Sequence, residues 1–424
     1  MWFRQLRLGQ LVRDAINAVR EPATSETAGT LMELMARDRL IRLDSPTYSA
    51  CRENFRANLN DIVHVAGKNG VPVVLCGLVS NERDLVPMVS ANREGLGDDR
   101  LASWRECFQQ ASALIAASQW DQALASATAA AQIDDTHAEL IYRMAQCHEQ
   151  SGRLDEARRL YRRARDLDAL RFRATTEFNE IIRGAAGNRA AYVDTVAAFE
   201  AASPNGLIGW NLITDHLHPT ARGHYLIARA ICECLAADHQ KLALRPISRD
   251  RYLSFEEAAE RQGCDELTEL VASLQILKLM QAYPFAGSPN AAHARALLSE
   301  SARRTEAMPA EVLRAMDRWA QSGTSRSFHF EVAREYLSAG NRTQALAFLR
   351  RAECAAEPHS IEAVEIRLAV ARCMTADTGG TLPPEVRSRI ESHVRHARET
   401  AAIRPDQRNR LQEAISEFER MLRQ

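Results

Sequence analysis

The sequence predicts a mainly α-helical protein that also contains a partial α/β layer, and three observations lead to this fold class. Most of the 424 residues lie in segments whose apolar side chains recur at helical spacing. One continuous apolar run, Val71 to Val79, is instead typical of a strand buried on both faces of a parallel sheet. After this run, a unit of about 34 residues occurs twice, which indicates stacked helical hairpins.

The segment before the apolar run is expected to form two helices. Residues 1–20 are amphipathic, and they predict either a helix packed on the protein or one lying at a membrane interface. A second helix is predicted from Pro46 to Asn69, and Gly70 ends it. Its apolar stripe is expected to face inward and contains Phe55, Leu59, Ile62 and Val65.

The polar segment after the predicted strand is a first candidate for a ligand contact. In parallel sheets ligands bind beyond the carboxyl ends of the strands, and Ser80 and Asn81 would lie at this edge. These two residues are therefore possible site-edge residues. The alternative is that residues 80–84 form an ordinary surface loop.

The two repeated units can be superposed residue by residue. The equivalent pairs are Ala111 and Ala145, Trp120 and Leu154, Ala123 and Ala157, Ala130 and Ala164, and Asp134 and Asp168. Small residues allow antiparallel helices to cross closely, and the pattern resembles the tetratricopeptide repeat. A third match near the C-terminus contains Ala333, Tyr336, Gly340, Ala345, Leu349 and Ala352. The resemblance implies a protein or peptide partner for the repeats.

A histidine-containing block follows the repeats and a second short strand, which is predicted at Ala191 to Asp194. The block reads Asp215-His216-Leu217-His218-Pro219, and Gly223-His224 then opens an apolar helix that extends to about 236. It resembles the last conserved block of the SGNH (GDSL-type) hydrolases. The resemblance implies that His218 is the general base and that Asp215 orients it.

The chemistry of ester hydrolysis explains these residue types. A Ser hydroxyl is a weak nucleophile until a His accepts its proton, and the His needs a carboxylate that fixes its tautomer. A spacing of three residues lets one turn present both Asp215 and His218. By analogy with the same block, His224 is expected to pack or to cap the helix. The alternative is that Asp215 merely caps the helix and His218 is solvated.

The nucleophile that this chemistry requires is unknown. The family pattern contains a Gly-Asp-Ser near the first strand, an oxyanion-hole Gly and a Gly-x-Asn-Asp segment, and none of these precedes Val71. We therefore expect the chain as given to be inactive as an ester hydrolase. It would be a truncated form of a longer protein, one half of a two-chain enzyme, or a degenerate remnant.

The remaining third of the chain, from about Leu244, is predicted to be helical throughout. Helices are expected at 265–283, 290–306, 308–321, 326–339, 342–356, 360–375 and 383–423. Ser254 and Glu257 have the spacing of a capping box. His393 and His396 lie one turn apart and could share a metal, but a solvated helix face is the favoured interpretation.

Composition argues against several classes of function. The formal net charge is −1, so neither a nucleic-acid partner nor an electrostatic membrane anchor is expected. No apolar run reaches the roughly 20 residues of a membrane span, and a cytoplasmic location is expected. The nine Cys contain no Cys-x-x-Cys pair and are expected to be buried, reduced thiols. Neither a cofactor nor a metal is predicted.

Two functional hypotheses follow. In the first, the chain is the C-terminal part of an SGNH-like ester hydrolase or acyltransferase that acts on a small-molecule ester. In the second, it is a non-enzymatic tetratricopeptide-repeat adaptor or scaffold. The predicted division is a partial SGNH-like α/β segment at 1–100, a tetratricopeptide insertion at 101–185, an SGNH-like segment with the Asp-x-x-His block at 186–240, and an all-helical, repeat-like domain at 241–424.

Overall fold

The computed structural model describes residues 40–242, 244–246, 248–280, 284–285, 290–321, 327–376 and 381–423. The amphipathic segment at 1–20 lies outside the described residues. The described chain is mainly helical, as the sequence predicts. Its elements are α1 (Pro46–Lys68), β1 (Val74–Cys76), α2 (Asp98–Ala116), α3 (Trp120–Ile133), α4 (Ala138–Gln150), α5 (Leu154–Leu167), α6 (Thr176–Ala186), β2 (Ala191–Val193), α7 (Thr195–Ala202), α8 (Ala221–Ala237), α9 (Phe255–Gln262), α10 (Glu266–Met280), α11 (Ala291–Glu306), α12 (Ala310–Gln321), α13 (Phe328–Ser338), α14 (Arg342–Ala355), α15 (Ile361–Thr375), α16 (Pro384–Ile403) and α17 (Arg408–Leu422).

The two strands form one small parallel sheet. Val74 lies opposite Ala191, and Cys76 lies opposite Val193. Residues 77–190, which include the repeats, separate the strands in the sequence. The predicted interruption of a parallel layer by a helical repeat module is therefore confirmed.

β1 is shorter and less buried than predicted. Only Val74 to Cys76 pair with β2, and all three residues are half-buried. Val71 and Leu78, which the sequence places inside the buried strand, are exposed. Among the described residues β2 is the only strand beside β1, so the layer lacks the second neighbour that burial of a central strand requires.

The burial of α1 also differs from the prediction. The helix ends before Gly70, as expected, and it packs on α6, where the rings of Phe55 and Phe178 lie 4.9 Å apart. However, Ile62 and Val65, which were expected to face inward, are 59% and 58% exposed. A layer of two described strands offers too little apolar surface to cover the whole stripe.

Helices α2 to α5 form the two predicted hairpins. The alanines at the helix crossings are all fully buried, namely Ala111, Ala123, Ala130, Ala145, Ala157 and Ala164. The turns within the hairpins are equivalent, because Ser118 has a φ of 57° in the first and Gly152 a φ of 72° in the second. Both lie in the left-handed region that favours Gly. Asp134 and Asp168 are also buried, and both accept hydrogen bonds from backbone N–H groups of residues 88–93.

The C-terminal helices include a third hairpin of the same kind, formed by α13 and α14. The predicted core residues Ala333, Tyr336, Ala345, Leu349 and Ala352 are buried. Gly340 has a φ of 75° at the turn between the helices. The capping box of Ser254 and Glu257 is present at the start of α9.

Several finer predictions are wrong. The helix expected at 383–423 is divided into α16 and α17, because Pro405 lacks an amide proton and keeps the preceding residue out of helical geometry. His393 is buried, with its Nδ1 3.9 Å from Oε1 of Glu353, and is not on a solvated face. All nine cysteines are free, but four of them are exposed, namely Cys51, Cys232, Cys264 and Cys354.

Candidate active site

The predicted histidine block forms a tight turn that fixes the side chain of Asp215. The backbone N–H of Thr214 donates to the carbonyl oxygen of His218 at 2.8 Å, which closes the turn. Oδ1 of Asp215 accepts hydrogen bonds from the backbone N–H groups of Leu217 and His218, both at 2.9 Å. The other carboxylate oxygen is therefore held in one position relative to the histidines.

Asp215 and His218 are brought together by this turn. Oδ2 of Asp215 lies 2.7 Å from Nδ1 of His218. The carboxylate is fully buried, whereas the His218 side chain is 63% exposed. A carboxylate at Nδ1 favours the tautomer that carries the proton there, and this leaves the lone pair of Nε2 available.

The carboxyl group of Asp215 remains ionised over the ordinary pH range. Burial by itself would raise its pKa. Three groups lower this pKa, namely the imidazole of His216, the backbone N–H of His218 and the His218 ring. Their combined effect exceeds that of burial, so the pKa of Asp215 lies well below its usual value. The carboxylate of Asp215 therefore supplies a fixed negative charge beside the imidazoles of His216 and His218.

The helix that follows the block is packed against the same turn. Thr220 is the N-cap of α8, and its hydroxyl accepts a hydrogen bond from the backbone N–H of Gly223 at 3.1 Å. A Cβ atom on Gly223 would lie only 2.5 Å from the carbonyl oxygen of Leu212. Glycine is thus required here, because the first turn of α8 lies directly on the chain that enters the block. His224 neither packs nor caps, since it is exposed and Thr220 performs the capping.

The block lies beside the segment that leaves β1. The backbone N–H of Asn81 donates to the carbonyl oxygen of His216 at 3.0 Å. The possible site-edge residues Ser80 and Asn81 are therefore close to the block, but both are buried. Oδ1 of Asn81 accepts from the backbone N–H groups of Asp84 and Leu85, so this segment is an internal support and not an ordinary surface loop.

Buried ion pairs that sequence reasoning missed connect the repeats to this segment. Nη1 of Arg165 donates to Oε1 of Glu82 at 2.5 Å, and Nη2 of Arg173 donates to Oδ2 of Asp168 at 3.0 Å. Arg173 also donates to the carbonyl oxygens of residues 81 and 85. Arg165 and Glu82 lie 83 positions apart in the sequence, so only the tertiary structure reveals their contact.

A groove of about 440 Å³ opens between the repeats and the residues that follow β1. Its lining includes Arg83, Asp84, Trp120, Tyr142, Gln146 and Trp210. Its polar floor is organised by Glu149, which accepts from the hydroxyl of Tyr161 and from Nε of Arg83, both at 2.7 Å. The groove combines aromatic walls with fixed charges.

Comparison with known proteins supports the class of protein that the fold defines, a mainly helical protein that contains a helical repeat module. The family model described as tetratricopeptide repeat matches residues 114–174, which extend from the end of α2 through α5. A search of curated proteins found no match. Neither comparison supports an SGNH-type hydrolase domain, so this resemblance stays a prediction from the histidine block. Among the described helices, none combines the length and the apolar composition that a membrane span requires.

Proposed function

We propose that this chain carries the Asp–His half of an SGNH-like ester hydrolase or acyltransferase site, next to a tetratricopeptide module that binds a protein or peptide. The observation that supports the first part is the 2.7 Å contact between Oδ2 of Asp215 and Nδ1 of His218. The buried carboxylate holds the ring, and the exposed Nε2 is free to accept the proton of a hydroxyl. The substrate class is a small-molecule ester.

The nucleophile in this proposal comes from a segment beyond the described residues. Within those residues, the only side chain that hydrogen-bonds to the His218 ring is Asp215, through Nδ1. A Ser hydroxyl would have to approach Nε2 to about 2.6–3.2 Å. The division into an interrupted α/β segment, a repeat insertion and a C-terminal helical domain is part of the same proposal.

An activated aryl ester tests His218 even without the nucleophile, because a free imidazole nitrogen attacks such esters directly. We expect the full chain, with EDTA present, to hydrolyse p-nitrophenyl acetate slowly. His218→Ala should lower the rate to the background set by the other histidines and the thiols. Asp215→Asn should also lower it, since the amide no longer holds the proton on Nδ1.

The matched control is His224→Ala, which removes an exposed histidine from the neighbouring helix. This variant should keep the wild-type rate. Equal rates for the wild type and His218→Ala would refute the proposal that His218 is poised as a base. Fast turnover that His218→Ala abolishes would place a nucleophile within the chain and contradict the expected inactivity.

A non-enzymatic adaptor is the second candidate function, and the buried ion pairs favour it. The Arg165–Glu82 ion pair and the hydrogen bonds from Arg173 to the carbonyl oxygens of residues 81 and 85 fasten the end of the repeats to the segment after β1. The α/β layer can therefore serve as a support for the repeats. The groove between them offers aromatic surface and fixed charge to a peptide. Repeats of this type present extended binding surfaces to other proteins.

Selection of peptides from a displayed library on the full chain tests the groove. Gln146→Arg places a long side chain into the groove, whereas Thr128→Arg makes the same change at an exposed position outside the lining. We expect selected peptides to lose affinity for the first variant and to retain it for the second. Equal binding to both variants would place the partner surface elsewhere.

A further inference from the structure

The ring of His216 contains a buried nitrogen without a hydrogen-bond partner. Nδ1 of His216 is buried and makes no hydrogen bond with any described residue. It lies 3.3 Å from Oδ2 of Asp215, close enough for strong interaction but not aligned for a hydrogen bond. The ring is held there by the rings of Phe172 and Phe285, each with its centroid 5.7 Å away. A buried unpaired nitrogen beside a carboxylate calls for an explanation such as a bound ion.

The three polar groups of the block have the spacing of metal ligands. One donor atom each from Asp215, His216 and His218 lies within 4.8 Å of the others. Tetrahedral Zn²⁺ has bonds of about 2.0–2.2 Å to nitrogen and oxygen, which separates neighbouring ligand atoms by about 3.3 Å. The distance from Nδ1 of His216 to Oδ2 of Asp215 is 3.3 Å. The distance from Oδ2 of Asp215 to Nδ1 of His218 is 2.7 Å, so these two atoms must move slightly apart to bind Zn²⁺. The exposed His218 ring is free to make this movement.

We propose that Oδ2 of Asp215, Nδ1 of His216 and Nδ1 of His218 form a Zn²⁺ site. Three protein ligands leave the fourth tetrahedral position to water on the exposed side of His218, which is the ligand set of an open zinc site. Two imidazoles and one carboxylate suit Zn²⁺ better than Mg²⁺ or Ca²⁺, which prefer oxygen ligands. The two backbone N–H groups on Oδ1 of Asp215 orient the carboxylate from behind, as supporting contacts in metal sites do.

A second histidine cluster in the chain provides an internal comparison. His359, His396 and Glu399 also place their donor atoms within 4.8 Å of one another. This cluster is only half-buried, and Glu399 is exposed. Nδ1 of His359 and Nε2 of His396 are buried and lack a hydrogen-bond partner, as Nδ1 of His216 does. The second cluster differs in its carboxylate, which is exposed to water, whereas Asp215 is fully buried.

Zinc binding and general-base function exclude each other at His218. The metal takes the lone pair of Nδ1 and displaces the proton that Asp215 holds there, so Nε2 then carries the proton and cannot accept another. Zinc would thus act as an inhibitor of the proposed base. The binding site itself does not depend on the hydrolase proposal, since it requires only the geometry of the three side chains.

Binding of Zn²⁺ and Co²⁺ to the chelator-treated full chain tests the site. Titration calorimetry should show one Zn²⁺ site that His218→Ala weakens by at least about tenfold. Removal of the groups that merely support metal ligands already costs about 10–100-fold in affinity, and His218 is proposed as a ligand itself. Because this ring is exposed, the variant should fold normally. Co²⁺ should produce the visible d–d bands of a tetrahedral nitrogen and oxygen site, without the near-ultraviolet charge-transfer bands of thiolate ligands.

The difference between thiolate bands and nitrogen and oxygen bands matters because four cysteines are exposed and could bind the metal instead. The control is His396→Ala, which removes a ligand from the second cluster and should leave the affinity and spectrum unchanged. The proposal would be overturned if His218→Ala bound zinc as tightly as the wild type, or if the Co²⁺ bands vanished in His396→Ala. Purely thiolate Co²⁺ bands, or no binding at millimolar metal, would overturn it as well. Ester hydrolysis is measured in EDTA, which removes the metal. A failure of the zinc proposal and a failure of the proposed function can therefore be told apart.

Discussion

The buried ion pair of Arg173 provides the sharpest test of how the repeats stabilise the candidate site. The Arg173 side chain is 2% exposed, and it donates to Asp168 and to the carbonyl oxygens of Asn81 and Leu85. In Arg173→Met, both carbonyls lose a charged donor and Asp168 loses its cationic partner. Removing one member of a buried pair costs about 3–5 kcal/mol of stability. The loss should be greatest in the segment after β1.

Arg159→Met is the matched control, because Arg159 forms an exposed i,i+3 pair with Glu156 and its side chain is 60% exposed. Such a pair contributes about 0–1 kcal/mol. The two variants should therefore differ by about 2 kcal/mol or more. Hydrogen exchange by mass spectrometry can measure this locally, since such a difference corresponds to about a 30-fold faster exchange. The amides to follow are those of residues 81–86, 88 and 89, since Pro87 has no amide proton.

The wild-type chain sets the reference for exchange in both variants. Protection of residues 81–89 that is the same in Arg173→Met and Arg159→Met would refute the reasoning. It would mean that Asp168 is satisfied by its backbone hydrogen bonds alone and that the guanidinium contributes nothing measurable. A loss of protection confined to the C-terminal helices would likewise contradict the assigned contact.

Three further predictions concern stability. Burial lowers the pKa of His137 to about 4, whereas the pKa of an unfolded His is about 6.5. The stabilisation by the neutral His137 ring is therefore complete above pH ~6.5 and is lost as the pH falls through about 4. Helix content followed between pH 7 and 4 should fall more steeply in the wild type than in His137→Gln, which keeps the pH dependence of the other buried histidines such as His393; equal pH dependence in both proteins would contradict this prediction. Gly152 has a φ of 72°, so Gly152→Ala should destabilise the repeats by about 1–2 kcal/mol. Gly67 lies within α1 with open space around it, so Gly67→Ala should be neutral or stabilising by up to about 1 kcal/mol. Thermal unfolding can measure both changes. Ser254→Ala removes half of the capping box and should cost about 1 kcal/mol, observable as faster exchange of the α9 amides; unchanged exchange would show that α9 is held by packing alone.

The parts of the fold that local sterics determine could be predicted from the sequence. Alanine at each helix crossing is required by the close approach of the helices, so the repeated positions of Ala123 and Ala157 are enough to locate the hairpins. The spacing of Asp215 and His218 likewise depends on a single turn. Their hydrogen bond follows from local geometry, although their chemical role remains a prediction.

The parts that depend on distant partners could not be predicted. Ile62 and Val65 have the apolar spacing of a buried stripe, but burial requires a surface to cover them, and the sequence does not specify its width. His216 looks like a less important neighbour of His218 in the sequence. Its importance arises from Phe172 and Phe285, which reach it from elsewhere in the chain and exclude water.

The separation of β1 and β2 by residues 77–190 has a consequence for biosynthesis. At ribosomal rates of about 5–20 residues per second, β1 leaves the ribosome roughly ten seconds before its pairing partner. During that interval α2 to α5 can fold, since their contacts are local and form quickly. The end of the repeats contacts the segment after β1 through Arg165 and Glu82. We therefore expect the folded hairpins to keep β1 close to the emerging β2 and to shorten the time that the two strands need to pair.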